Sequence, residues 1–320
     1  MIPSLSELEA AAAVVHAVFP PTPQYAWPLL EAALGTEVWV KHENHTPIGA
    51  FKLRGGLVYF NDLARSKAVR GVISATRGNH GQSVGFAARR HGLGATIVVP
   101  RGNSVEKNAA MRALGVELIE HGEDFQAARE FADRLARERD LHAIPPFHER
   151  LVAGVGSYSL EFLRAQPTLD VVYVPIGMGS GICGMIAARE ALGLKTEIVG
   201  VVSAHARAYA ESFVARRAIE APVSTRLADG MACRAPHPQA LEIIWRQVAR
   251  IVEVSDAEVA AAMRLFFVST HNTAEGAGAA GLAAAMQERS RLAGRKVGLV
   301  LSGGNVDREL FAEVLSEAQA

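Results

Sequence analysis

Phe51-Lys52-Leu53 sets a lysine between apolar neighbours at the head of a helical stretch. A helix N-terminus and apolar surroundings both disfavour an ammonium, so the Lys52 pKa should fall towards the range where lysine serves as nucleophile and base. Gly177-Met178-Gly179-Ser180-Gly181 follows the strand-like VVYVP and precedes the helical ICGMIAARE. Glycines there let successive backbone N–H groups point into one concavity at a helix start, which is a seat for a phosphate. Residues 179–184 also satisfy the G-x-G-x-x-G dinucleotide pattern, which calls for an acidic residue about 20 positions on. The next strand ends Val201-Val202-Ser203-Ala204, without one, which weakens the dinucleotide reading and leaves the phosphate reading standing. Ser74-Ala75-Thr76-Arg77-Gly78-Asn79-His80-Gly81-Gln82 is the densest polar loop in the chain. Ser302-Gly303-Gly304-Asn305 and Glu275-Gly276-Ala277-Gly278 are further glycine-rich turns, each weak as a signal by itself.

These loops need a frame that brings them to one place. Short β-branched runs at 37–40, 72–75, 96–99, 117–119, 171–174, 197–202, 251–254 and 297–301 alternate with helical patterns at 53–64, 82–90, 125–139, 180–192, 256–268 and 278–289. Near-continuous apolar strands separated by helices imply an α/β fold built on open, mostly parallel sheets flanked by helices. The 76–82, 177–184 and 302–305 loops each follow a strand and open a helix, where open α/β sheets bind ligands. The break at Ile144-Pro145-Pro146-Phe147 and a quieter junction at 68–71 suggest two domains: a large one of residues 1–66 and 148–320, and a small one of residues 67–147 carrying the 76–82 loop.

Composition narrows the possible partners. Lys plus Arg and Asp plus Glu are 33 each, and no basic cluster stands out, which argues against nucleic acid. No apolar run approaches the ~20 residues of a membrane span. The N-terminal LSELEAAAAVVH reads as an amphipathic helix, not a signal peptide, so a cytoplasmic protein is expected. Cys183 and Cys233 show neither disulfide nor zinc spacing. Six of the 33 basic residues are lysines; apart from Lys52, these read most simply as solvated.

Taken in order, the lysine after Phe51, the TRGNHGQ loop, the mid-chain glycine loop and the C-terminal SGGN resemble the β-family (fold type II) of pyridoxal-phosphate enzymes, in particular its threonine/serine dehydratase and serine racemase group. The resemblance runs from about Thr22 to Asp307 and is sharpest in HENHTPIGAFKLRGG and TRGNHGQ. It implies pyridoxal 5'-phosphate as cofactor, with Lys52 as Schiff-base lysine and base. It further implies that Gly177, Met178, Gly179, Ser180 and Gly181 hold the phosphate, that Asn79 partners the ring 3-oxygen and that Phe51 packs near the ring. Ser302 would face the pyridine nitrogen, and Glu275 would lie near the cofactor. Thr76, His80 and the backbone around Gly78 would receive the substrate carboxylate. A small amino-acid substrate and a homodimer are implied as well.

The sequence departs from that group at three points. Racemases carry a serine just before the Gly-Asn of the second loop, where this chain has Arg77. A guanidinium is a poor proton shuttle, so a dehydratase giving a 2-keto acid and ammonia is expected over a racemase. Arg77 either reads an anionic group, the α-carboxylate or the second carboxylate of 3-hydroxyaspartate, or pairs elsewhere. Val202 and Ala208 stand where relatives with a divalent-cation site have carboxylates, so no metal is expected there. The chain ends soon after SGGN, and control by a C-terminal regulatory domain is not expected. Competing functions are an isomerase, which would make a D-amino acid, and a non-catalytic nucleotide binder, which would be colourless. The β-substituent stays open between threonine, serine, 3-hydroxyaspartate and phenylserine, with residues 229–234 among the pocket candidates.

Overall fold

The computed structural model describes residues 2–66 and 69–316, so Lys67 and the start of the 68–71 junction lie outside it. The strands are β1 (Gln24–Ala26), β2 (Val38–His42), β3 (Gly71–Ala75), β4 (Gly94–Val99), β5 (Glu117–Glu120), β6 (His142–Ala143), β7 (Val171–Pro175), β8 (Glu197–Ser203), β9 (Arg250–Val254) and β10 (Val297–Leu301). The helices are α1 (Leu5–His16), α2 (Pro28–Leu34), α3 (Lys52–Ser66), α4 (Asn79–Arg90), α5 (Val105–Ala113), α6 (Phe125–Glu138), α7 (Glu149–Ala165), α8 (Ser180–Ala191), α9 (Ala208–Ala215), α10 (Pro238–Gln247), α11 (Asp256–Thr270), α12 (Gly276–Gln287) and α13 (Arg308–Ser316).

Two sheets result, one ordered β1-β2-β10-β7-β8-β9 and the other β5-β4-β3-β6. The β1–β2 pair is antiparallel and the other pairs are parallel. All eight strands legible in the sequence are present. Two others, β1 and β6, are three and two residues long, too short to carry a period. Alternation explains why the central strands read as continuous apolar runs. Val171 and Tyr173 pack with α11 and α12 on one face, Val172 and Val174 with α7 and α8 on the other. The smaller sheet has α3, α4 and α5 on one face and α6 on the other. Cys183 and Cys233 are free and buried.

One sequence expectation fails here. Lys41 and Lys107 are not solvated; they are 0% and 6% exposed. Lys41 continues a strand buried on both faces, and its Nζ donates to Glu161 Oε2 at 2.6 Å and to Thr22 O at 2.8 Å. Arg54, also 0% exposed, joins the same cluster, donating from Nε to Glu43 Oε2 at 2.7 Å and from Nη1 to Glu161 Oε1 at 2.6 Å. Partners so distant in sequence leave no local pattern.

Glycines set the spacing of the helices that carry the polar loops. A Cβ on Gly154 of α7 would run into the Arg54 carbonyl and lie 2.8 Å from Gly55 Cα, and one on Gly184 of α8 would lie 2.9 Å from Gly156 N. Thus α7 is the spacer between α3 and α8, and backbone touches backbone on both sides. Gly154→Ala should cost about 2 kcal/mol, roughly 5 °C in Tm, because neither facing backbone can yield as a side chain would. A calorimetric Tm equal to the parent's would show that α3 shifts freely.

Candidate active site

The loops meet because parallel strands share a direction. The pairing of Leu301 with His42 brings Ser302 beside the turn that leads to Lys52. There Phe51 N–H donates to Ser302 O at 3.0 Å, and Ala50 bridges to Gly303. The third glycine loop does not open a helix at once; it runs on through Asp307 before α13. Between the two sheets lies a cavity of about 140 Å³. Arg77 and every residue given a site role by the resemblance line it: Phe51, Lys52, Thr76, Gly78, Asn79, His80, Gly177, Met178, Gly179, Ser180, Gly181, Glu275 and Ser302; Gly303, Gly304 and Asn305 of the last glycine turn do not.

Two helices open their N-termini into this space. The N-cap of α8, Gly179, has φ +98°, a conformation that favours glycine, and no side chain caps the helix. The first intrahelical bond runs from Cys183 N–H to Gly179 O, which leaves the N–H groups of Ser180, Gly181 and Ile182 without an intrahelical acceptor. The α4 N-terminus, after Gly78, is likewise uncapped by a side chain, and the Gly78 N–H is held by Thr76 Oγ1 at 3.1 Å. Each is a seat for an anion, by backbone donors and helix dipole together.

Two lysines line the wall, and their surroundings treat them oppositely. Burial lowers the Lys52 pKa to about 8, against the opposing pull of the Glu275 carboxylate. Its Nζ donates to Ser180 Oγ at 3.2 Å and sits 5.0 Å from the centre of the Phe51 ring. Burial also works against the charge of Lys107, but the carboxylates of Glu275 and Asp229 outweigh it and raise the pKa. The Lys107 Nζ lies 2.7 Å from Asp229 Oδ2 and 3.4 Å from Glu275 Oε2. Lys52 is therefore the amine that can lose its proton near neutral pH, and Lys107 is a fixed cation.

The remaining polar groups form one chain. Asn79 Nδ2 donates to Glu275 Oε1 at 2.6 Å, and Asn305 Nδ2 donates to Asn79 Oδ1 at 2.8 Å. Burial raises the pKa of Glu275, with Lys107 opposing. His80 is neutral: burial, and then the Lys52 charge, push its pKa down to about 3, and its Nε2 is buried without a hydrogen-bond partner among the described residues. Ser302 is buried and lines the same cavity. Asp229, Gly230, Met231, Ala232 and Cys233 from the 229–234 segment also line the cavity, with Phe125, Pro146 and Lys107. Lys107 is the residue that sequence reasoning missed. Its burial follows from two carboxylates far along the chain, and only a lysine count this low hinted at it.

The arrangement fits a phosphate-bearing aldehyde cofactor: an uncapped glycine cradle for the phosphate, a deprotonable amine beside it, and a neutral serine hydroxyl, that of Ser302, on the cavity wall for a neutral ring nitrogen. Capture of that aldehyde requires the free amine. With a Lys52 pKa of about 8, roughly a tenth of the apoprotein is competent at pH 7. Cofactor uptake followed by absorbance should accelerate about tenfold from pH 6 to 7 and level off above pH 8. A rate that keeps climbing tenfold per pH unit through pH 9 would refute the lowered pKa.

Comparison with known proteins agrees with the geometry. Residues 17–303 match the family described as pyridoxal-phosphate dependent enzyme. The chain is 32% identical over 290 residues to the L-threonine ammonia-lyase of Thermotoga maritima, covering 90% of this chain and 72% of that protein. It is 30% identical over 296 residues to the L-threo-3-hydroxyaspartate ammonia-lyase of Saccharomyces cerevisiae, covering 92% and 91%. The solved structure of maize serine racemase superposes with a TM-score of 0.91 at 26% identity, covering 98% of this chain and 97% of that one.

Proposed function

The chain belongs to the pyridoxal-phosphate dependent enzymes, and on that premise we propose that it is an ammonia-lyase that eliminates water from a β-hydroxy amino acid to give a 2-keto acid and ammonia. The observation that carries this reading is the pairing of Lys52, its amine desolvated, with Ser180 at the open end of α8. L-threonine and 3-hydroxyaspartate, named for the Thermotoga and yeast relatives, share the Cα–H and Cβ–OH that such an elimination removes. Pyridoxal 5'-phosphate, when bound, supplies an electron sink conjugated to Cα.

The rest is the work of this chain's own side chains and backbone. The α8 N-terminus would bind the phosphate through Gly179, Ser180 and Gly181, and Lys52 would anchor the cofactor. Lys52 Nζ, once free, takes the Cα proton. The α4 N-terminus, with Thr76 and the backbone at Gly78, holds the substrate carboxylate, and the neutral His80 adds no competing charge there. Asn79 and Glu275 would hold the cofactor ring from the cavity wall, with Phe51 packing near it, and Ser302 would offer the ring nitrogen a hydroxyl, which would limit the negative charge the ring stores and favour elimination over transamination. No titratable group near neutral pH stands at position 77 to return a proton from the other side, because a guanidinium stays charged. Elimination is thus favoured over racemisation. In the same proposal residues 67–147 form the small domain and two copies associate as a homodimer.

The test is to incubate the purified holoenzyme with L-threonine, L-serine and L-threo-3-hydroxyaspartate. Keto acid and ammonia should appear in equal amounts. Chiral analysis showing D-amino acid as the main product would replace lyase by isomerase, and a colourless protein that takes up no cofactor would remove both.

A further inference from the structure

Arg77 is the cavity's unspent charge. Three side-chain cations line the cavity, Lys52, Arg77 and Lys107, against two carboxylates, Asp229 and Glu275. Both carboxylates are committed to Lys107, at 2.7 and 3.4 Å. Lys52 turns to Ser180 and is the amine that gives up its proton. Arg77, at the turn between β3 and α4, is half-buried and has neither an ion pair nor a hydrogen bond among the described residues. A guanidinium that has lost part of its water without gaining a partner is a cost that a bound anion removes.

The two anions expected in the site already have places. The cofactor phosphate has the α8 N-terminus, and the α-carboxylate has the α4 N-terminus, where Asn79, His80 and Gly81 offer N–H groups ahead of the first intrahelical bond from Gln82 to Gly78 O. A third anion is what Arg77 lacks. Its planar fork matches a carboxylate in bidentate geometry better than it matches any neutral group.

We propose that Arg77 binds a second carboxylate carried on the substrate's Cβ, which makes this enzyme selective for dicarboxylic β-hydroxy amino acids such as L-threo-3-hydroxyaspartate. The inference rests on the elimination reading above and names its substrate class. The bonds balance without any further reactant: Cα–H and Cβ–OH break and leave as water. The resulting enamine tautomerises to an imine, and one water hydrolyses that imine to a four-carbon dicarboxylic 2-keto acid and ammonia. Serine and threonine undergo the same bond changes and leave Arg77 unpaired.

The experiment compares kcat/KM of the holoenzyme for L-threo-3-hydroxyaspartate, L-threonine and L-phenylserine in the parent, Arg77→Ala and Arg77→Lys. The parent should favour hydroxyaspartate, and its preference over threonine should fall on the order of 30- to 1000-fold in Arg77→Ala. Arg77→Lys, a point charge without the fork, should recover part of that preference. Independently of turnover, calorimetry should show succinate binding the parent holoenzyme at least tenfold more tightly than butyrate, with the difference lost in Arg77→Ala. A preference unchanged within threefold overturns the proposal. So does an equal fall for every substrate, which would place Arg77 on the α-carboxylate, and so does a parent that favours phenylserine. Arg77-dependent succinate binding without keto acid from any substrate would uphold the carboxylate site and remove the elimination reading. Keto acid from all three substrates without selectivity would do the reverse.

Discussion

Lys52→Ala lowers turnover by about 10⁴-fold or more. A positioned base alone is worth about 10²–10⁴, and this residue is also the covalent anchor of the cofactor. The parent protein should be yellow, and borohydride should bleach it and fix the cofactor mass on the peptide containing residue 52. Lys107 is the internal control. It lines the same cavity, but the carboxylates of Asp229 and Glu275 keep it charged, so its peptide should gain nothing. Lys52→Arg should be as inactive as the alanine variant, because a guanidinium keeps its proton at any working pH. Circular dichroism matching the parent separates lost chemistry from lost fold. Turnover within tenfold of the parent, or cofactor mass on the Lys107 peptide, would assign the chemistry to another group.

Arg54→Met should destabilise the protein by about 3–5 kcal/mol, on the order of 10 °C in Tm. Arg54 and Glu43 are each 0% exposed, and removing the guanidinium leaves Glu43 buried with only Thr22 Oγ1, at 2.6 Å, as a side-chain donor among the described residues. Glu161 loses one of the two cations that, against the cost of burial, hold its pKa down to about 2; Lys41 remains. The sign of the pH dependence follows. A carboxyl whose folded pKa lies below its unfolded value stabilises the fold above the unfolded value, near pH 4.5, and that contribution fades as pH falls towards 2. The gap between parent and variant should therefore be full at pH 7 and narrow from pH 4.5 downward. Denaturant titrations at pH 3, 5 and 7 measure it. A constant gap, or none, would mean that Glu161 draws its low pKa from Lys41 alone.

The strands and the site were legible for the same reason. A strand buried on both faces must be apolar throughout, and a loop that turns its backbone N–H groups into one concavity is glycine-rich, so both write their structure into consecutive residues. Val171 to Val174 and Gly177 to Gly181 show this side by side. Contacts that close across the fold were not legible. The burial of Lys107 is decided by Asp229 and Glu275, and that of Lys41 by Glu161, partners that no window of sequence contains. Likewise β6 exists only because Val72 and Ile73 offer it an edge, and its two residues have no pattern of their own.

The pairing of β2 with β10 joins strands from opposite ends of the chain, whereas β3, β4, β5 and β6 find one another locally. During synthesis the four-stranded sheet has all its strands while the six-stranded one still waits for β10. The proposed seat of the cofactor is completed with it, since Ser302 and the Phe51–Ser302 and Ala50–Gly303 contacts come into being only when β10 arrives. Cofactor uptake is therefore a certificate of completed assembly. On the proposed reading, a nascent or truncated chain without β10 would lack the Ser302 side of the seat, and the full free energy of binding would be added only to molecules that have closed the sheet.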